Sequence, residues 1–210
     1  MPRKRRIWFP GARYHITSRG IRRTALFRDE EDRHEYLRLL KETEALKPFI
    51  LQTYCLMTNH IHLQMETIHL PAGTIMKYLH SQYATYFNKK YHFTGHVFES
   101  RYGSELITSL EYELEVNRYI HLNPIRAKMV TDLNDYPWSS YFHYAQHSED
   151  TLISSERILA YFPEPQVENY LKFLHAKGKE ADIYPISTLQ DPLEERKSTK
   201  ILVIEKRHEK

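Results

Sequence analysis

Phe49 to Leu56 and Asn59 to Met65 are two short runs rich in apolar and β-branched residues, separated by a turn around Thr58-Asn59. A spacer this short predicts two antiparallel neighbours in one sheet, and an amphipathic stretch lies on each side of them. Upstream, Asp29 to Leu46 sets Tyr36, Leu37, Leu39, Leu40 and Leu46 among charged residues at helical spacing, and Pro48 stops it. Downstream, Ala72 to about Lys89 repeats Ile75, Met76, Leu79, Tyr83, Tyr86 and Phe87 every three or four residues. Ala12 to Arg19 reads as a first strand closed by Gly20, and Gly95 to Ile107 as a fourth with an interior glycine. Ser109 to Leu122 reads as a third helix, bounded by Asn123-Pro124 because proline disfavours α geometry in the residue before it. Strand, helix, strand, strand, helix, strand, helix is the pattern of an α+β ferredoxin-like sandwich, one antiparallel sheet with helices on one face.

The composition shifts beyond Tyr141. Ser154 to Phe162 and Pro165 to Leu174 have the length and spacing of two short helices, whereas the last thirty residues alternate charge and proline around one apolar patch, Ile201 to Ile204. This divides the 210 residues into a main domain over 1–141, a small helical C-terminal extension over 142–180 and a weakly ordered tail over 181–210. The single cysteine, Cys55, excludes an internal disulfide framework and a multi-thiolate metal site. No run approaches the roughly 18 consecutive apolar residues of a membrane span, so a cytoplasmic protein without a membrane partner is expected. The formal net charge is only +3, yet Arg3, Lys4, Arg5, Arg6, Arg13, Arg19, Arg22 and Arg23 precede the first acidic residue.

Two segments have the residue types of a reactive site. In Asn59 to Glu66 the strand period puts His60, His62, Gln64 and Glu66 on one face, with Ile61, Leu63 and Met65 on the core face. Neighbouring imidazoles suit a first-row divalent ion, although two exposed histidines alternating with core residues give the same pattern. In the third helix Tyr119 and Asn123 are four apart and share a face, with Glu115 one turn earlier. An amide oxygen from Asn123 could complete a site begun by the two imidazoles, with the Tyr119 hydroxyl in reach. A helix-packing tyrosine and a C-terminal turn asparagine would look the same.

Met57-Thr58-Asn59-His60-Ile61-His62-Leu63, then Tyr119-Ile120-His121-Leu122-Asn123-Pro124-Ile125-Arg126-Ala127, then Tyr136-Pro137-Trp138-Ser139-Ser140-Tyr141 occur in that order. Together they resemble the single-tyrosine transposases with a His-hydrophobic-His motif, and within that superfamily the REP-associated tyrosine transposases. The resemblance spans roughly Trp8 to Tyr141, and the extension after the Trp-Ser-Ser-Tyr segment resembles that of larger members more loosely. It implies that His60 and His62 are metal ligands, that Asn123 is the third, oxygen ligand, and that Tyr119 is the nucleophile. Thr58 stands where relatives commonly have proline, a departure that concerns the turn rather than the ligands. His121 varies among relatives and receives no role.

The resemblance further implies Mg²⁺ or Mn²⁺, and a single-stranded DNA substrate beside a hairpin, cleaved and rejoined through a 5′-phosphotyrosine. The protein is a monomer or a homodimer on this basis. The N-terminal cations fit a phosphate backbone, with Trp8, Phe9 and Tyr14 placed to stack on bases and Arg101 and Arg118 as further phosphate contacts. Two other functions share some of these features. A non-catalytic single-stranded nucleic-acid-binding protein would need no metal and form no covalent adduct, and a metal-dependent hydrolase would turn over without Tyr119.

Overall fold

The computed structural model describes residues 7–146 and 152–176. Strand β1 (Arg13–Arg19), helix α1 (Glu30–Leu46), β2 (Phe49–Met57), β3 (His60–Thr67), α2 (Ala72–Tyr91), β4 (Gly103–Leu106) and α3 (Leu110–Arg126) follow in the expected order. The strands make one antiparallel sheet in the order β2-β3-β1-β4, which is the predicted α+β ferredoxin-like sandwich, except that its helices divide between the two faces rather than sharing one, because α3 is drawn to the other face by buried polar and apolar partners on β2 and β3. The paired helices α1 and α2 cover the face that carries Ile16, Ile61 and Leu63. Tyr36 of α1 meets Tyr83 of α2 edge to face at 5.1 Å, and His80 of α2 reaches Ser18 Oγ of β1 at 3.2 Å. At the start of α1, Asp29 and Asp32 cap each other reciprocally, and Lys90 near the end of α2 reaches both carboxylates.

Helix α3 lies on the opposite face, and it is held there by polar as well as apolar contacts. Val116 and Ile120 pack with Cys55 and Met57 of β2. One helical row, Glu113, Asn117 and His121, is fully buried. Glu113 pairs with the Arg13 guanidinium, Asn117 donates to Thr53 Oγ1 and to the Tyr144 hydroxyl, and His121 Nε2 lies 2.8 Å from Ser140 Oγ. Buried polar groups are tolerated only when partnered, so each of these contacts constrains where α3 can sit.

The Trp-Ser-Ser-Tyr segment has a structural explanation. Leu56 N–H donates to Trp138 O at 2.9 Å and Ser140 N–H to Tyr54 O at 3.0 Å, so residues 138–140 pair with the outer side of β2. That blocks an edge that would otherwise expose unpaired backbone groups. Helix α4 (Tyr141–Gln146) follows at once, and its Tyr144 hydroxyl donates to Gln52 O at 2.8 Å. The compact unit containing the sheet runs through Ser154, so α4 belongs with it. A second unit begins at Ser155 and contains α5 (Glu156–Leu159) and α6 (Gln166–His175), with Phe162 packed on Tyr170 and Phe173. The tail expected over 181–210 lies outside the described residues. No helix among those described is long and apolar enough to cross a membrane.

Two elements and one residue also depart from the sequence expectation. The fourth strand is only Gly103–Leu106, because residues from Gly95, with φ +92°, curl past the end of β1 and bond to it through Val97 O, Phe98 and the Glu99 N–H. Helix α3 does not stop at Asn123 but runs through Pro124 to Arg126. Tertiary burial of Asn123 and Pro124 overrides the local bias against α geometry before proline, and Ala127 N–H to Asn123 O and Met129 N–H to Pro124 O close the end. Tyr14 is buried and donates its hydroxyl to Ile7 O at 2.6 Å, so it is a core residue rather than a base-stacking one.

Two stability outcomes follow from these contacts. Burial holds the His121 imidazole down to about 3, reinforced by the charge of His143, against about 6.5 in an unfolded chain. Between those values the unfolded chain binds the proton and the folded one does not, so stability falls as pH drops below about 6.5, by up to about 1.4 kcal/mol per pH unit for this group. Thermal melts from pH 7.5 to 4.5 should show a shallower decline in His121→Gln than in the wild type. A Cβ at Gly20 would sit 2.3 Å from Thr24 O, so Gly20→Ala should cost about 1–3 kcal/mol in a denaturant titration.

Candidate active site

The face of the sheet beneath α3 places His15, Thr17 and Arg19 of β1 beside His60, His62 and Gln64 of β3, with Thr17 opposite His62 and Arg19 opposite His60. Period-2 alternation brings the two predicted histidines side by side, their rings 5.0 Å apart and nearly perpendicular. The face is not solvent-exposed as a two-strand pattern alone implies. Helix α3 covers it, leaving His62 only 6% exposed and Gln64 buried, with its amide donating to Glu113 O.

The turn before β3 fixes His60. Leu26 and Phe27 N–H both donate to Thr58 O, and Gly20 N–H donates to Asn59 O at 2.9 Å, so the loop after β1 grips the hairpin tip. Asn59 Nδ2 in turn donates to Arg23 O at 3.1 Å, which orients the amide and leaves Oδ1 as acceptor for His60 Nδ1–H at 2.7 Å. This grip requires a tight loop, and Arg22 and Arg23 both adopt the left-handed region at φ 51° and 60°.

Tyr119 projects from α3 over the histidines, its ring 5.4 Å from His62 and 5.8 Å from His15, both edge-on. It is 36% exposed, the open end of an otherwise packed cluster. The Arg126 guanidinium lies 5.1 Å from the ring centroid, two helical turns further on. Asn123 is buried and its Nδ2 donates to Tyr119 O at 2.8 Å, and no hydrogen bond to its Oδ1 is seen among the described residues.

His15, His60, His62, Tyr119 and Arg126 border a cleft of about 740 Å³. Arg19, Arg101 and Arg126 bring positive charge to it, and Glu99, Glu105 and Glu115 bring negative charge, with Glu105 accepting from the Tyr112 hydroxyl at 2.5 Å. Burial lowers all three histidines. His62 is pushed down to about 3, with the charges of His15, His60 and Arg19 adding to the effect. His60 is lowered by burial and by Arg19, and His15 by burial against an opposing pull from Glu105. Neutral imidazoles have lone pairs to give. His62 Nε2 is a buried nitrogen with no hydrogen-bond partner among the described residues, so it is chemically able to serve as a ligand atom. No group of three or more His, Cys, Asp or Glu side chains among the described residues is arranged to hold a metal. His60 and His62 are the candidate ligands that line the cleft.

The predicted cations separate into groups. Arg3, Lys4, Arg5 and Arg6 lie outside the described residues. Arg19 and Arg101 line the cleft, and Arg22 and Arg23 are exposed on the loop beside it. Arg13 is at the far end of β1, committed to Glu113, and Arg118 is largely buried and near Glu115 at 3.7 Å. Sequence spacing missed His15, two strand positions before Thr17, and Arg126, seven residues after Tyr119. The period-2 pattern of β1 and the i, i+7 relation in α3 contain both, but only if the helix is allowed to pass Pro124.

The family described as IS200-like transposases matches residues 9–123. The structure of a REP-associated tyrosine transposase bound to a REP hairpin is similar to this chain at 16% identity and a TM-score of 0.60, over 74% of this chain and 90% of that one. A Deinococcus radiodurans R1 protein assigned as a transposase is similar at 15% identity and a TM-score of 0.40, over 64% of this chain and 97% of that one. None of the curated proteins matches the sequence. The family match runs from the N-terminal turn before β1 to the asparagine that follows Tyr119 by one helical turn, more than half of the chain, and the chain belongs to the IS200-like transposase family.

Proposed function

We propose that this transposase cleaves and rejoins single-stranded DNA beside a hairpin, with Tyr119 as nucleophile and with His60 and His62 holding a divalent ion, Mg²⁺ or Mn²⁺. The observation that carries the proposal is the convergence on a single cleft of one part-exposed tyrosine, an arginine stacked over its ring and a buried imidazole nitrogen with no hydrogen-bond partner among the described residues. Asn123 Oδ1 is the candidate oxygen ligand. The ion, when bound, supplies Lewis-acid stabilisation of the phosphate charge.

The chain's own groups do the rest. Tyr119 Oη attacks phosphorus, a P–Oη bond forms, and the bond to the 3′ oxygen breaks. The phenolic proton is lost and the departing 3′ oxygen gains one, leaving a 5′-phosphotyrosyl link and a free 3′-hydroxyl. Because one phosphate ester replaces another, a second 3′-hydroxyl can reverse the step without an external energy source. Arg126, above the Tyr119 ring, is placed to counter charge developing on the phenol and phosphate. Arg19 and Arg101 at the rim, with Arg22 and Arg23 on the neighbouring loop, are placed to follow the strand backbone.

Incubation with labelled single-stranded hairpin DNA and Mn²⁺ should give a denaturant-resistant protein–DNA adduct that is absent in Tyr119→Phe, while that variant still binds DNA. An adduct that survives Tyr119→Phe overturns the assignment, and strand cleavage without an adduct in that variant marks a hydrolase. Binding titrations at several salt concentrations separate the arginines. Arg101→Ala should lower the slope of log affinity against log salt by about 0.7, whereas Arg13→Ala should leave the slope unchanged and lower the melting temperature, because Arg13 is tied to Glu113.

A further inference from the structure

We infer that His15 is a positioning residue that sets the tautomer of His62, so that His62 presents a lone pair to the cleft from Nε2. The inference rests on the proposal that His60 and His62 hold the ion. His15 stands diagonally across from His62 on the neighbouring strand, with His15 Nε2 3.0 Å from His62 Nδ1 and the rings 5.2 Å apart and inclined by 21°.

One proton lies between these two nitrogens, and its origin decides what His62 can do. If His15 donates, His62 Nδ1 is an acceptor and the neutral ring carries its proton on Nε2. That nitrogen has no acceptor among the described residues, so the arrangement buries an unsatisfied donor and removes the lone pair a metal needs. If His62 donates from Nδ1, Nε2 is left as a lone pair for which no donor among the described residues competes. His15 must then accept through Nε2. Only the second arrangement gives the buried nitrogen a use.

His60 reaches the same state by a different route. Its Nδ1 faces Asn59 Oδ1, whose role as acceptor is fixed because the Asn59 amide nitrogen is spent on Arg23 O. Both members of the pair thus have Nδ1 engaged by a separate neighbour. An imidazole ligand is oriented by the acceptor behind it, and here one acceptor is an amide and the other is a second imidazole. His15 is itself confined, nearly buried, edge-on to Tyr119 and paired in register with Glu105. With its Nε2 engaged by His62, it is a support rather than a third ligand.

The test measures Mn²⁺ binding by the full chain without DNA, following free Mn²⁺ by electron paramagnetic resonance. His15→Phe keeps the aromatic packing and removes the acceptor, and should weaken binding about 10- to 100-fold. His15→Gln can place an oxygen near the lost Nε2 and should recover binding to within a few-fold of wild type. In the metal-free protein, ¹⁵N NMR should show His62 protonated at Nδ1 in wild type and His15→Gln, and shifted towards Nε2 in His15→Phe. Wild-type Mn²⁺ affinity in His15→Phe overturns the inference, as does a His62 already protonated at Nε2 in the wild type. Failure of His15→Gln to bind better than His15→Phe also overturns it. His60→Ala and His62→Ala separate the two levels: if they bind Mn²⁺ normally, the proposed ligand pair itself is wrong, and if they do not while His15→Phe does, only the role of His15 is.

Discussion

The placement of α3 across the sheet is the constraint on which the candidate site depends. Glu113, Asn117 and His121 form a single buried helical row, and each is engaged by a different element: Arg13 on β1, Thr53 on β2 with Tyr144 on α4, and Ser140 on the segment that pairs with β2. A purely apolar seam would tolerate sliding or rotation of a helix at modest cost, since dispersion and area burial are non-directional. A seam of directional partners does not, because a shift leaves several buried polar groups unsatisfied at once. The adjacent row, Tyr112, Tyr119 and Arg126, is thereby held over the histidines.

The sheet contributes the other half of the geometry. A strand presents alternate residues to the same face, so the separation of His60 and His62 is a property of the backbone. Their orientation is not. It comes from the loop after β1, whose amides and carbonyls hold the Thr58-Asn59 turn, and from His15 one strand away. The left-handed conformations of Arg22 and Arg23 belong to the same arrangement, and they place two cations on the rim of the site.

Much of this was legible in the sequence, for reasons that differ by element. The helices α1 and α2 and the hairpin follow from hydrophobic periods that are strong because each element buries one continuous face. The neighbours His60 and His62, and the pair Tyr119 and Asn123, follow from the strand and helix periods. The end of α3 is not legible in the sequence because a proline rule describes local preference, and the burial of Asn123 and Pro124 outweighs it. The length of β4 was misplaced because β-like composition does not reveal that residues 95–102 turn around the end of β1. Tyr14 and Arg13 read as DNA contacts in the sequence because an aromatic or a cation on a strand has no sign of its partner, and their partners, Ile7 O and Glu113, are set by the packed structure.

By itself, the sequence determined the order of elements, the sandwich they form, the pairing of two histidines on one strand face and the spacing of a tyrosine from an asparagine on a helix. Each is a local property, carried by periods of two or 3.6 residues and by turn chemistry. Only the tertiary structure decided that the helix with Tyr119 lies on the histidine face, that His15 supports His62 and that Arg13 is withdrawn into an ion pair. Those relations join residues dozens of positions apart, and they exist only where burial forces polar groups to find one another.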